Sequence, residues 1–322
     1  MNRLLKIPAN PEAFGNYVEK MYNKERVLCV YEAGPTGYGL RDHLLSRQIE
    51  CLLVSPLTIP KAGNARVKTN RIDSEKLAQH LKNGDLKPIR VPDPEYRELR
   101  QLIRVREDYV CLTRTAKQRI KSLLLAQSLN STLKDIEQNW SALYINQLKT
   151  LQCTPAVRHR LNLLLDDIAY ARQQTLRVLK ELRGFCKEQP GIQQNVKYLQ
   201  SIPGIGFITA VTILGNIGNP QYLHDPQELA GFIGLVPSEY STGDTVIKGS
   251  ITHLGNNILR SLLIEAAWVA IRYNKQLAQL YYRIRNRHPS GIGSRKAIVA
   301  VARKLTLIIY RVLKDQREYI NI

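Results

Sequence analysis

The sequence predicts two fold classes in one chain, an α/β N-terminal third followed by an all-α remainder, and three observations carry the prediction. Short apolar runs, Arg26-Val-Leu-Cys-Val-Tyr31 and Glu50-Cys-Leu-Leu-Val-Ser55, alternate with helical patterns only in the first ninety or so residues. Beyond residue 93, apolar residues recur at spacings of three and four over stretches too long for strands. Between the two regimes stand Pro88, Pro92 and Pro94, the punctuation of a domain exit. At 322 residues the chain has room for two domains plus connecting helices.

In chain order, Phe14, Tyr17, Val18 and Met21 give residues 11–21 one apolar face, hence a short amphipathic helix. Residues 26–31 read as a buried strand, followed at once by Glu32-Ala-Gly-Pro-Thr-Gly37. A carboxylate at a strand end, ahead of a glycine-rich turn into a helix (38–47), lies where α/β folds place ligand groups. Residues 50–55 form a second strand, so a mostly parallel sheet is expected. Asp93-Pro-Glu starts a long helix. Its stripe runs through Leu99, Leu102, Ile103, Tyr109, Leu112, Ala116, Ile120 and Leu123; its other faces carry Arg97, Arg100, Arg104, Arg106, Arg114, Lys117, Arg119 and Lys121. Leu161, Leu164, Ile168, Thr175, Leu179 and Leu182 form a second stripe after Pro155, which suits an antiparallel coiled pair or a dimer interface. The basic face is either solvated or in contact with a nucleic-acid backbone.

Composition narrows the partners. A net charge of +20 and a pI near 9.8 point to an extended polyanion. Nucleic acid leads, since no apolar run approaches the roughly 20 residues of a membrane span. The first residues lack the pattern of a secretory leader. Five scattered cysteines without a close CxxC pair argue against zinc and for reduced thiols, hence a cytoplasmic protein.

The densest signal lies between residues 198 and 268. A helix ends near Gln200, Pro203-Gly204-Ile205-Gly206 turns tightly, and residues 207–214 begin a second helix. Two glycines would let the backbone approach a strand while exposed N–H groups meet its phosphate, a pattern that resembles a helix-hairpin-helix. The competing possibility is a plain helix corner stapled by Ile202 and Ile205. Then come Gly234-Leu-Val-Pro-Ser-Glu-Tyr-Ser-Thr-Gly243 and Lys248-Gly-Ser-Ile-Thr-His-Leu-Gly-Asn-Asn-Ile-Leu-Arg260, leading into a long helix.

This order resembles the C-terminal domain of the insertion-sequence-110 family of transposases, the DEDD recombinases related to the pilin-gene invertases, and the whole chain fits that layout. The resemblance implies three parts: a RuvC-like, RNase H-type domain (1–92), a helical coiled-coil region (93–190) and an α-helical transposase domain with the helix-hairpin-helix (191–322). It also implies DNA cutting and rejoining by a hydroxyl nucleophile helped by a carboxylate cluster with Mg²⁺, a structured guide RNA, and a homo-oligomer, dimer or tetramer. Matching the family's motif places the Glu on Glu32 and the last Asp on Asp73, both metal ligands and catalytic. Asn70 stands where the third carboxylate is expected. The first carboxylate has no counterpart, and the chain would start near the fold's third strand, at residues 4–7, with the opening strands missing; DNA translated upstream of Met1 would show whether they exist.

The nucleophile position falls on Thr242, with Ser241 one residue earlier. Threonine's β-methyl restricts χ1 and crowds in-line attack. The same residues could instead form only a polar turn. Gly204, Gly206, Lys248, His253 and Arg260, with Arg104, Arg114 and Lys117 of the middle helix, are the candidate nucleic-acid contacts, and Asn256 could add one. Residues 283–288 and 294–296 read as a basic, strand-gripping loop. Two other functions fit the same residues: a catalytically impaired relative that only binds nucleic acid, and a structural RNA-binding protein. The latter gives no reason for pairing Glu32 with Asp73.

Overall fold

The computed structural model describes residues 7–8, 10–22, 26–56, 58–59, 70–130, 139–239, 248–251, 254–289 and 291–320. It is mostly helical with a few short strands and divides into two units, 1–91 and 92–322.

In the first unit Asn10 caps α1 (Pro11–Met21), its side chain accepting the Glu12 N–H at 2.9 Å. Strand β1 (Leu28–Glu32) pairs in parallel with β2 (Glu50–Val54), from Leu28 opposite Glu50 to Glu32 opposite Val54. The crossover between them is α2 (Gly39–Ser46). The Ile89 N–H donates to the Leu53 carbonyl, and an antiparallel bridge joins Val54 to Pro88. Val18, Leu44, Ile49 and Cys51 form the small core, and α3 (Asn70–Asn83) packs on β1. The expected strand at residues 4–7 lies almost wholly outside the described residues.

The second unit begins with α4 (Pro94–Ala126), which packs along α6 (Pro155–Glu188) with the opposite direction. The two predicted stripes therefore face each other within one chain. At one end Ala116, Ile120 and Leu124 meet Leu161, Leu164 and Ile168, closed off by Tyr144 and Leu148 of α5 (Ala142–Thr150), which Ser141 caps. At the other end Leu99, Ile103, Val178 and Leu182 join the main core, so the long helices and the C-terminal helices share one interior. That core is built from α7 (Pro190–Gln200), α8 (Phe207–Ile217), α9 (Pro226–Ile233), α10 (Asn257–Tyr273), α11 (Lys275–Arg285) and α12 (Ile292–Asp315). Helix α12 buries Val301, Ala302, Leu305 and Ile309 against its neighbours.

The predicted basic loop at 283–296 is corrected. Arg283 and Arg285 belong to α11, whose start Asn274 caps at Leu277 N–H, and residues 294–296 lie in the first turns of α12. Only a short turn separates the helices. Gly293 is pressed onto the Arg285 backbone, which makes the joint tight. No helix among the described residues is long and apolar enough to cross a membrane.

Candidate active site and nucleic-acid surface

The turn between α7 and α8 gives its two glycines different tasks. Gly204 has φ +90°, and a Cβ there would overlap the Ala266 carbonyl oxygen and lie 3.2 Å from Ala270 N, both on α10. With Ile202 and Ile205 buried, this half of the turn is a packing corner. Gly206 caps α8 with φ −85° and is exposed, with open space where a Cβ would stand. Only Gly206 therefore leaves the backbone open at the positive end of α8. Beside it the Arg183 guanidinium lies 5.6 Å over the Phe207 ring.

Residues 240–247, and Ser241 and Thr242 with them, lie outside the described residues, but the segments flanking them are fixed. Strand β3 (Pro237–Glu239) pairs antiparallel with β4 (Lys248–Ile251), Pro237 opposite Ile251 and Glu239 opposite Lys248. Below this pair the chain crosses itself at two glycines. Gly234, at φ +81°, ends α9 and leaves no room for a Cβ beneath the Leu254 carbonyl. Gly255, at φ +102°, would place a Cβ 2.7 Å from Gly234 N and 2.9 Å from its Cα.

Arg260 and Asn256 lock this crossing. The Arg260 guanidinium donates to the Ile233 and Leu254 carbonyls and to Asn257 Oδ1. The Asn256 side chain caps α10 at Leu259 N–H, and its amide donates to Asn216 Oδ1 at 2.8 Å. Asn216 lies at the end of α8, where Arg100 donates to the Gly215 and Asn216 carbonyls at 2.7 and 3.0 Å. A continuous polar chain thus runs from α4 through the α8 terminus to the base of the hairpin. Arg260 and Asn256, expected as phosphate contacts, and Arg100, expected on the basic face, are engaged with their own chain. Sequence reading missed the role of Asn216 and Arg100; the Asn256-x-x-Leu259 cap was its one readable signal.

Glu32 and Asp73 both belong to the first unit. Glu32 is exposed at the end of β1, ahead of a turn that Tyr31 holds by donating its hydroxyl to the Gly37 carbonyl at 2.9 Å. Asp73 is half-buried in the first turn of α3, the helix that packs on β1. Asn70 opens the same helix, one turn earlier. Among the described residues no three His, Cys, Asp or Glu side chains gather as a metal cage. Both carboxylates are hard oxygen donors of the kind divalent cations take, and they lie on β1 and α3, elements that pack together.

Of the basic candidates, Arg104 and Arg114 are exposed, and no described residue forms an ion pair with them. Lys117 is half-buried, 5.3 Å from the Trp140 ring centroid, and desolvation, then Arg172 and Lys121, lowers its pKa. Together with Val110, Thr113, Arg172, Thr175 and Leu176, Arg114 and Lys117 line a groove of about 560 Å³ between α4 and α6. Lys248 starts β4, and His253 lies outside the described residues. Cys51 and Cys186 are not poised for chemistry: burial raises the thiol pKa of each to about 11.

Comparison with known proteins bears on both units. A DEDD transposase model of the IS110 type matches residues 2–127, and the model described as the transposase IS116/IS110/IS902 family matches residues 196–283. The Sinorhizobium fredii protein y4qE, named as a transposase, is 30% identical over 317 residues, covering 91% of this chain and 77% of its own length. The transposase for insertion sequence element IS1111A of Coxiella burnetii is 26% identical over 78% of this chain and 68% of its own. The pilin gene-inverting protein of Moraxella bovis is 25% identical over 92% of this chain and 83% of its own. With both units matched and a relative this similar along nearly the whole length, the chain belongs to the IS110 family of transposases, which are DNA recombination enzymes.

Proposed function

We propose that this transposase cuts and rejoins DNA strands during movement of an insertion sequence, with Thr242 as the attacking hydroxyl and Ser241 as its alternative. The family match over residues 196–283 carries the reading, because it spans the hairpin that flanks both hydroxyls. Thr242 Oγ1 gives up its proton as it attacks the phosphorus, the bond from phosphorus to one sugar oxygen breaks, and that oxygen takes up a proton and leaves as a hydroxyl. The new phosphoester keeps the energy of the broken bond, so a second strand's hydroxyl can displace threonine and restore a continuous backbone. Glu32 and Asp73, as carboxylates of the first unit, would hold a divalent cation, which supplies charge neutralisation and positioning of a phosphate.

Exposed N–H groups at Gly206 and the cationic side chains of Arg104, Arg114, Lys117 and Lys248 contribute backbone contacts that position without reading bases. Resemblance to the family adds a structured guide RNA and a homo-oligomer to this proposal.

A purified chain incubated with duplex carrying its own element's end and Mg²⁺ should yield a covalent protein–DNA species on a denaturing gel. Thr242→Ala should lower its yield and Ser241→Ala with Thr242→Ala should abolish it, and Asn70→Asp with Thr242→Ser should raise strand transfer. An unchanged yield in the double variant, with an intact fold, would show that these positions are not the site. The second reading, binding without chemistry, is favoured by one specific observation, an uncharged Asn70 at a carboxylate position. Bound DNA with no covalent species, in the wild type and the double variant alike, would establish it.

A further inference from the structure

The C-terminal helices carry a three-ring aromatic ladder that the proposed chemistry does not use. Trp268 of α10 and Tyr281 of α11 meet at 5.5 Å between ring centroids, and Tyr281 meets Tyr282 at 5.3 Å, both edge to face. Tyr281 is buried and shares a 2.6 Å hydrogen bond with Ser294 Oγ, which anchors the ladder to a third helix, α12. Its outer rings stay open: Trp268 is 39% exposed and Tyr282 54%.

Two exposed rings around a rigid buried one could bind an apolar protein segment or a base. Charge decides between them. From residue 251 to 314 the chain has twelve lysines and arginines and a single acid, Glu265, one turn before Trp268. Arg272 follows Trp268 by one turn on α10, and Arg285 follows Tyr281 by one turn on α11. No described residue forms an ion pair with Arg272, Arg283, Arg285 or Arg295. Aromatic faces rimmed by unneutralised guanidinium groups fit nucleotides, whose bases stack while their phosphates meet the cations. Within a duplex those faces are already stacked, so the fitting ligand is unpaired.

We propose that Trp268 and Tyr282, held by Tyr281 and rimmed by Arg272 and Arg285, form a stacking platform for unpaired bases of a single-stranded nucleic acid. The platform is separate from the open N-terminus of α8. Trp268 is two residues from both Ala266 and Ala270, which Gly204 touches, and so lies on roughly the opposite side of α10. It rests on the reading of this protein as one that handles DNA, and it adds a region that accepts strands once they are parted.

The chain has two tryptophans, so a full-length Trp140→Phe protein leaves Trp268 as its only indole. Titration with a short oligothymidylate should quench its fluorescence, and a duplex of equal length should quench it far less. In the wild-type background Trp268→Ala and Tyr282→Leu should each weaken oligothymidylate binding about tenfold without changing its salt dependence, and Trp268→Phe should restore most of it. Arg272→Gln with Arg285→Gln should lower the salt slope instead. Unchanged emission at saturating oligothymidylate, or wild-type affinity in both ring variants, would overturn the platform. So would loss of self-association in Trp268→Ala with binding untouched, which would make the patch a contact between copies. Those outcomes leave the transposase reading standing; failure to bind any DNA, single or double stranded, would instead remove the reading beneath both.

Discussion

Alanine at Gly204 and at Gly206, two residues apart in one turn, should have opposite consequences. At Gly204 the backbone is held at φ +90°, which costs a residue bearing a Cβ about 1–2 kcal/mol. The new methyl would also overlap the Ala266 carbonyl oxygen and stand 3.1 Å from its carbon, and both belong to a helix backbone that cannot swing aside as a side chain could. Forcing α10 away from the turn adds about 1–3 kcal/mol, as overpacking of a filled core does. The sum is about 2–5 kcal/mol, which in a unit of this size lowers Tm by roughly 5–15 °C. At Gly206, φ −85° and open space admit alanine without strain, and the lost cap preference offsets the reduced freedom of the unfolded chain, so stability should stay within about 1 kcal/mol. Denaturant unfolding of the full chain separates the two, with duplex affinity measured on Gly206→Ala. Equal destabilisation would refute the assignment of packing to Gly204 and openness to Gly206.

Arg100→Met should destabilise the second unit by about 2–3 kcal/mol, because two charge-assisted hydrogen bonds to the α8 carbonyls vanish; denaturant melts would measure it. Gly255→Ala should lower both Tm and covalent-species yield, since its methyl would strike the Gly234 backbone under the hairpin, whereas at Gly249 an added methyl crowds only the Ser238 hydroxyl, a rotatable group, and should be milder. Thiol labelling at mild pH should find Cys111 first, because it is exposed. Cys51 and Cys186, raised from 9.0 to about 11, should hold about a hundredfold less thiolate and react only as the protein opens.

What was legible in the sequence followed from local pattern. The helix at 11–21, the strands near 28 and 50 and the long helices after Pro94 and Pro155 could be read because apolar periodicity and caps act within a few residues. The basic stretch after residue 282 was misjudged, because charge and glycine there resemble a loop. What makes it helical is distant: the Asn274 cap, which also donates to the Tyr319 hydroxyl, and the Gly293 contact with Arg285. Arg260 and Asn256 were illegible for the same reason, since a cation or amide near a helix start reads as a free phosphate contact until its carbonyl partners are known. Gly204 and Gly206 were identical as letters, and the backbone turn together with the proximity of α10 distinguishes them.

The hairpin's anchoring also decides how the chemistry can be tested. Gly234, Gly255, Arg260 and Asn256 fix the two ends of the segment that carries Ser241 and Thr242, and none of these contacts involves either hydroxyl. Replacing Thr242 by serine or alanine therefore leaves every one of those bonds in place. A change in covalent-species yield can then be assigned to the hydroxyl itself. Substituting Asn256 moves fold and yield together, because its cap and its bond to Asn216 tie the hairpin base to α8 and, through Arg100, to α4. If Thr242→Ala unfolded the second unit as Asn256→Ala should, the hydroxyl loop would be part of the scaffold, and its claim to be the nucleophile would lose its physical basis.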